Sequence, residues 1–151
     1  MKNIMSPLLL MAAMLGGSCS AAHASDGEKA IMKNQMIIRI GSKSFTATLA
    51  ENRTATAFKA MLPLKLNMED VNDNEKVISL PAKLPTQDAN PGQIKAGDLM
   101  IWTSRNLVLL YKSFPASYSY TRLGRINDAA GLSAAVGSGN VTVTFELVPQ
   151  K

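Results

Sequence analysis

Cysteine and histidine are almost absent from this sequence. The 151 residues include one cysteine, Cys19, and one histidine, His23, both near the amino terminus. Beyond residue 24 the chain therefore offers no Ser-His-Asp triad, no cysteine nucleophile and no imidazole or thiolate metal ligand. It also offers no disulfide, so a domain of this size has to rely on its apolar core. We assign no catalytic residues from the sequence.

Charge is moderate and dispersed. Sixteen Lys and Arg residues against 11 Asp and Glu residues give a net charge of +5, and the basic residues are not concentrated in one stretch. This distribution does not favour a nucleic-acid partner. The glycine-rich residues 137–139 (GSG) lack the lysine of a phosphate-binding loop. We expect no cofactor.

The amino terminus has the pattern of a cleaved secretory signal. Lys2 precedes an uncharged apolar run over residues 8–15, and residues 22–24 (AHA) form an A-x-A cleavage pattern. The run is shorter than the roughly 20 residues that span a bilayer, so no membrane span is expected. We predict a signal peptide over residues 1–24 and an exported protein, either periplasmic or secreted.

Cys19 gives an alternative interpretation of the same segment. Residues 15–19 (LGGSC) resemble a bacterial lipoprotein signal, in which the cysteine carries a lipid, but Gly16 occupies a position that favours a large aliphatic residue. Simple cleavage after Ala24 is therefore favoured, and a lipid anchor at Cys19 is the alternative.

The rest of the chain has the pattern of one domain rich in strands. Residues 25–35 are polar and are predicted to form a flexible lead-in to a domain over residues 36–148. A short helix is predicted over residues 55–62, and a brief helical turn within residues 128–136. Alternating or continuous apolar residues predict strands at 36–40, 44–49, 64–68, 76–80, 98–103, 107–111, 118–126 and 141–147.

Many short strands with little helix predict a mainly β fold, a closed antiparallel barrel. Residues 98–103 and 107–111 are predicted to form a hairpin. Both arms are almost continuously apolar, so both faces of this hairpin should be covered.

Three stretches of the second half carry a resemblance to a known family. They are residues 91–102 (PGQIKAGDLMIW), 107–111 (LVLLY) and 118–126 (YSYTRLGRI). Together with the hairpin and helix of the first half, they resemble small, largely uncharacterised bacterial cyclophilin-like proteins. The resemblance implies a cyclophilin-like β-barrel with one or two short helices. A shared fold does not transfer a function.

Prolyl isomerisation therefore has to be judged from the site. The cyclophilin pattern places an arginine after Phe-His, with a phenylalanine five positions on and Met-x-Gln nearby. Arg53 and Phe58 have that spacing, but neither companion motif is present. Phe58 also belongs to the apolar stripe of the predicted helix, so we interpret this pair as a residue at the helix start and a core aromatic.

Two tyrosines and an arginine form the better candidate site. Because side chains alternate along a strand, Tyr118, Tyr120 and Arg122 are predicted to share one face. Phenol and guanidinium groups together can stack on and hydrogen-bond a peptide, a carboxylate or a planar ligand. Tyr111 and Arg53 are further candidates for the same site. The alternative is a surface face whose rings cover apolar neighbours while their polar tips meet water.

The acidic residues 70–75 superficially resemble a calcium loop. Such a loop has glycine at its sixth position and a bidentate glutamate at its twelfth. Glu75 and Pro81 occupy those positions here. We therefore interpret residues 69–75 as a solvated polar loop and predict no metal site.

Two functions stay open. The favoured one is an exported module that binds a peptide or small molecule at Tyr118, Tyr120 and Arg122 without catalysis. The alternative is a divergent peptidyl-prolyl cis-trans isomerase acting on exported proteins, with Arg122 or Arg53 as its cationic group.

Overall fold

The computed structural model describes residues 26–150. The predicted signal peptide, with Cys19 as the alternative lipid-attachment residue, lies outside the described residues. Within residues 26–150, no helix has the length and apolar character that crossing a membrane would require.

Ten strands and three short helices form the described chain. In chain order they are α1 (Asp26–Lys33), β1 (Gln35–Ile40), β2 (Lys43–Leu49), α2 (Arg53–Lys59), β3 (Leu64–Val71), β4 (Glu75–Ser79), β5 (Gln93–Ile94), β6 (Asp98–Trp102), β7 (Asn106–Leu110), β8 (Phe114–Pro115), β9 (Thr121–Ile126), α3 (Leu132–Val136) and β10 (Val141–Leu147).

Eight strands close into an antiparallel barrel, which confirms the predicted fold class. Their order around the barrel is β1-β10-β3-β4-β7-β6-β9-β2. β1 shows the expected alternation, because Met36, Ile38 and Ile40 are buried while Arg39 is exposed. These side chains join one apolar cluster that fills the barrel. Burial of this surface is the main stabilising contribution to the fold.

The helices depart from the sequence predictions in number and position. The segment predicted to be a flexible lead-in contains α1, whose first turn is acidic and whose last turn is basic, as the helix dipole favours. Helix α2 starts at Arg53, two residues earlier than predicted. The cause is Asn52, whose side chain accepts a hydrogen bond of 2.8 Å from the Ala55 amide and caps the helix.

The segment predicted as one strand over residues 118–126 is shorter and interrupted. β9 begins at Thr121, and Tyr120 makes only an isolated bridge with Ala89. Leu123 has no partner on β6, because Met100 pairs with Arg122 and the preceding Leu99 pairs with Gly124. This β-bulge shifts the side-chain alternation between the two halves of β9.

A second apolar cluster covers the outer face of the β6–β7 hairpin. It contains Met100, Val108 and Leu110 from the hairpin, together with Ile94 of β5 and Tyr120. β5 and β8 pair with each other as a small separate sheet. The prediction that both faces of this hairpin are covered is therefore confirmed.

Candidate functional site

Tyr120 and Arg122 lie on the outer face of the barrel. Arg122 pairs with Met100, which belongs with Tyr120 to the outer apolar cluster. Tyr120 is 6% exposed, whereas half of the Arg122 side chain is accessible to solvent. The two residues, with Met100 and Pro91, line a small cleft of about 170 Å³, which we call the central cleft.

Tyr118 precedes β9 and is not part of a strand. It is 60% exposed, and its ring centroid lies 6.2 Å from that of Trp102 at a tilt of 59°. The prediction that Tyr118, Tyr120 and Arg122 occupy one strand face is therefore wrong for Tyr118. Its contact with Trp102 nevertheless brings it to the surface beside Tyr120.

Three aromatic residues surround a pocket next to the central cleft. Trp102, Tyr118 and Tyr120 line it, with three valines as its apolar floor and Glu75 as its carboxylate. Its volume is about 210 Å³, and we call it the aromatic pocket. Burial, followed by the repulsion of Glu75, raises the pKa of Tyr120, so its hydroxyl stays neutral at physiological pH.

A larger cleft on the other side of Arg122 contains both candidate arginines. Arg53 and Arg122 line this cleft of about 430 Å³ together with the start of α2 and residues 85–87. Its walls include no acidic side chain. The two arginines are 69 positions apart in sequence, and we call their shared surface the arginine cleft.

Neither guanidinium has a close partner within the described chain. Arg122 lies 3.9 Å from an oxygen of Asp98, which is too long for a hydrogen bond. The same Asp98 carboxylate accepts a hydrogen bond of 2.9 Å from the Lys95 amide. Arg53 makes no hydrogen bond or ion pair with any residue between 26 and 150. Both cations are therefore available to an external anion.

The three depressions form a series along one side of the barrel. Tyr120 lines both the aromatic pocket and the central cleft. Arg122 lines both the central cleft and the arginine cleft. The aromatic pocket therefore lies at one end of this surface and the arginine cleft at the other. Tyr120 and Arg122, which lie side by side, connect the two. Two residues of extended chain span roughly 7 Å, so a ligand of a few residues is long enough to reach both ends.

Tyr111 lies apart from this surface, contrary to its predicted place beside Tyr118. It is buried in the barrel cluster, and its hydroxyl donates a hydrogen bond of 2.6 Å to Asp70. Burial and then this hydrogen bond raise the pKa of Tyr111. The physical reason is position: Tyr111 follows a strand whose odd-numbered residues, Leu107 and Leu109, face the barrel interior.

The Arg53–Phe58 pair does not form a joint site. Phe58 is fully buried inside the barrel, where its ring meets Phe145 edge to face with centroids 6.2 Å apart. Arg53 is exposed at the first residue of α2. The interpretation of this pair as a helix-start residue and a core aromatic is confirmed.

Sequence reasoning missed Trp102 and Glu75 as site residues. Glu75 was predicted to end a solvated loop, whereas it begins β4 and is half-buried beside Tyr120. Trp102 is the last residue of an apolar strand, and the sequence does not indicate on which face of the sheet its side chain lies. Only the pairing of β4 with β7 and of β7 with β6 brings these residues together. Across residues 26–150, no three acidic side chains converge on a common point that could hold a metal ion.

Comparison with known proteins identifies a matching family and a solved structure of similar fold. The model of the cyclophilin-like family matches residues 38–146. The solution structure of the hypothetical protein AF2241 from Archaeoglobus fulgidus is similar, with a TM-score of 0.53 and 19% sequence identity. The match covers 78% of this chain and 96% of that chain. At this identity the likeness concerns the fold alone. No curated protein matches the chain.

Proposed function

This chain belongs to the cyclophilin-like family, and we propose that it is a binding module whose ligand lies across Tyr120 and Arg122. The ligand is a peptide or a small molecule with a planar or apolar group and an anionic group. Its planar or apolar group occupies the aromatic pocket. Its anionic group is bound by Arg122 and Arg53 in the arginine cleft.

The observation that carries this proposal is that two arginines line one cleft while neither guanidinium donates a hydrogen bond to a residue of the described chain. A guanidinium binds a carboxylate through charge-assisted hydrogen bonds, and these are stronger than neutral ones. Arg122 has only a distant Asp98 and Arg53 has no partner in the described chain, so a carboxylate would meet little competition. The strand pairing of Arg122 with Met100 fixes the backbone from which one of the two guanidinium groups extends.

Isomerase activity is a second candidate, supported by one specific feature. The central cleft sets the Arg122 guanidinium beside Met100, Pro91 and Tyr120, which is a cation next to an apolar surface. Rotation about an X–Pro bond has a barrier of about 18–20 kcal/mol from amide resonance, and a cation that favours the twisted amide would lower it. We rank binding without catalysis first, because the Phe-His and Met-x-Gln motifs that accompany the cyclophilin arginine are missing from this sequence.

The proposal also includes export of the protein from the cytoplasm. The support is the sequence pattern of residues 1–24, with its basic residue, apolar run and A-x-A site. An exported binding module would meet peptides and metabolites outside the cytoplasm. Detection of the mature amino terminus at residue 25, by mass spectrometry of the protein recovered from the producing cells, tests this part.

An NMR titration tests binding and catalysis together. The protein, labelled with ¹⁵N, is titrated with the tetrapeptide Ala-Ala-Pro-Phe carrying a free terminal carboxylate, and the cis/trans exchange of its Ala–Pro bond is followed in the same sample. We expect amide shifts at Tyr118, Tyr120 and Arg122 with exchange at the uncatalysed rate. Accelerated exchange that is lost in Arg122→Ala would establish the isomerase instead. Shifts confined to other faces of the barrel would overturn the proposed site.

A further inference from the structure

Glu75 is a half-buried carboxylate with no counter-charge. Its side chain makes no hydrogen bond and no ion pair with any residue in the described range 26–150. The carboxylate instead lines the aromatic pocket, beside the ring of Tyr120. Its oxygens are not fully buried, but an ionised group that is partly shielded from water without gaining a partner costs free energy, so this position is unfavourable unless something else compensates it.

The rings around Glu75 have the chemistry that attracts cations. The face of an aromatic ring carries partial negative charge, and tryptophan is the strongest of the aromatic side chains in this respect. The planes of the Trp102 and Tyr118 rings are inclined at 59° with their centroids 6.2 Å apart, and Tyr120 is the third aromatic residue of the lining. Pockets of this kind, built from several rings with an acidic residue, recognise quaternary and methylated ammonium groups.

We propose that the aromatic pocket binds an organic ammonium cation, with Trp102, Tyr118 and Tyr120 around it and Glu75 as its counter-charge. The inference rests on the proposed function, namely that this surface binds a ligand, and it specifies that the group in the aromatic pocket is a cation whose carbon substituents contact the rings. With the arginine cleft at the other end, the whole surface fits a ligand that carries a positive and a negative group.

The volume and the charge of the aromatic pocket agree with an organic ammonium cation as its ligand. A volume of about 210 Å³ accommodates a trimethylammonium group but not a large ring system together with its substituents. Among the described residues, no lysine or arginine lines the pocket, so none of them neutralises its negative charge. A bound cation would restore to Glu75 the interaction that burial removes.

The pKa of Glu75 is in keeping with a site for a cation. Burial raises the pKa of Glu75, and the repulsion of Asp70 raises it further. A cation in the pocket would favour the charged form and return the pKa toward its ordinary value. Ligand binding is therefore expected to release protons near the raised pKa of this group.

The single tryptophan makes the test direct, because all tryptophan fluorescence of the protein arises in this pocket. The emission of the full chain is titrated with choline and, separately, with its neutral isostere 3,3-dimethylbutan-1-ol. The peptides Ala-Lys-Ala and Ala-norleucine-Ala repeat the comparison for a side-chain cation. We expect the charged member of at least one pair to bind at least about tenfold more tightly than its neutral partner. Tighter binding of choline than of its neutral isostere would identify the ligand as a small ammonium compound. Tighter binding of Ala-Lys-Ala than of Ala-norleucine-Ala would identify it as a peptide with a cationic side chain.

Two variants assign the effect to Glu75. Glu75→Gln should abolish the preference for the cation, whereas Glu69→Gln should preserve it, because Glu69 is exposed on the neighbouring strand and does not line the pocket. Equal binding of charged and neutral members, or no response from either pair, would overturn the cation inference. If the cation inference fails but the protein still binds Ala-Ala-Pro-Phe, the proposed function stands. If the protein does not bind this peptide either, both the cation inference and the proposed function are wrong.

Discussion

The hydroxyl of Tyr111 donates a hydrogen bond of 2.6 Å to Asp70 across the strand that separates them. Asp70 lies in β3 and Tyr111 follows β7, with β4 between the two strands. Lys76 of β4 completes the bridge, because its ammonium group lies 2.8 Å from the same Asp70 oxygen and bonds to the carbonyls of Gly137 and Gly139. The network ties three strands to the turn before β10.

Removing the Tyr111 hydroxyl should weaken the fold. Tyr111→Phe is expected to lower the midpoint of thermal unfolding by about 4 °C, because a buried hydrogen bond to a charged acceptor is lost. Tyr120→Phe is the matched control, since the Tyr120 hydroxyl makes no hydrogen bond within residues 26–150. Equal shifts for both variants, measured by circular dichroism, would show that the Tyr111 bond contributes nothing specific.

Asp70 should make stability fall in acid. The hydrogen bonds from Lys76 and then Tyr111 hold the pKa of Asp70 below its ordinary value of 3.8. Its contribution is therefore fully present above pH 3.8 and is lost as the pH falls through the lowered pKa. We expect Asp70→Asn to unfold earlier than the wild type at pH 7, with the difference narrowing below pH 3.8. A constant difference across that range would contradict this role.

The ionised Glu75 side chain should lower the stability of the folded state, which is opposite to the effect of Asp70. Because burial raises its pKa above the ordinary value of 4.5, ionisation of Glu75 disfavours the folded state as the pH rises from 4.5 through the raised pKa. Glu75→Gln is therefore expected to raise the unfolding midpoint at pH 7 and to make no difference below pH 4.5. Destabilisation at pH 7 would mean that the carboxylate has a favourable partner, and the cation-binding role would lose its main support.

Gly124 marks the closest approach of β9 to β2. A Cβ atom at this position would overlap the backbone oxygen of Thr48 and lie 3.0 Å from the Cα atom of Leu49. We expect Gly124→Ala to reduce the free energy of unfolding by about 2 kcal/mol, since the strands must separate to admit the methyl group. Gly27→Ala is the control for an added methyl group: it should not lower the free energy of unfolding, because a Cβ atom there meets no other atom within 4 Å and alanine favours helix α1. Chemical denaturation of both variants provides the comparison.

The barrel could be predicted because its strands have strong local signals. β1, β2 and β10 alternate apolar and polar residues, and the β6–β7 hairpin is apolar on both faces, so the strand period and the two-sided burial are visible in the sequence. The burial of Lys76 could not be predicted from the apolar pattern of its strand. A lysine is ordinarily exposed, and only the three-strand network shows why this one is fully buried.

The candidate site could be predicted only in part, since it depends on register. Tyr120 and Arg122 are two residues apart, and strand alternation correctly placed them together on one surface. Tyr118 lies outside the strand because β9 begins only at Thr121, and this late start has no local signal. Trp102 and Glu75 come from other strands, so their approach to Tyr120 follows from the closure of the barrel.

The most direct test of the proposed site compares two arginines of β9. Arg122 lines the central and arginine clefts, whereas Arg125 is also exposed on the same strand but lines neither. The affinity for Ala-Ala-Pro-Phe is measured by calorimetry for the wild type, Arg122→Ala and Arg125→Ala. We predict a loss of about tenfold or more for Arg122→Ala alone, as expected for one charge-assisted contact. Equal affinities of the two variants would contradict binding across Tyr120 and Arg122.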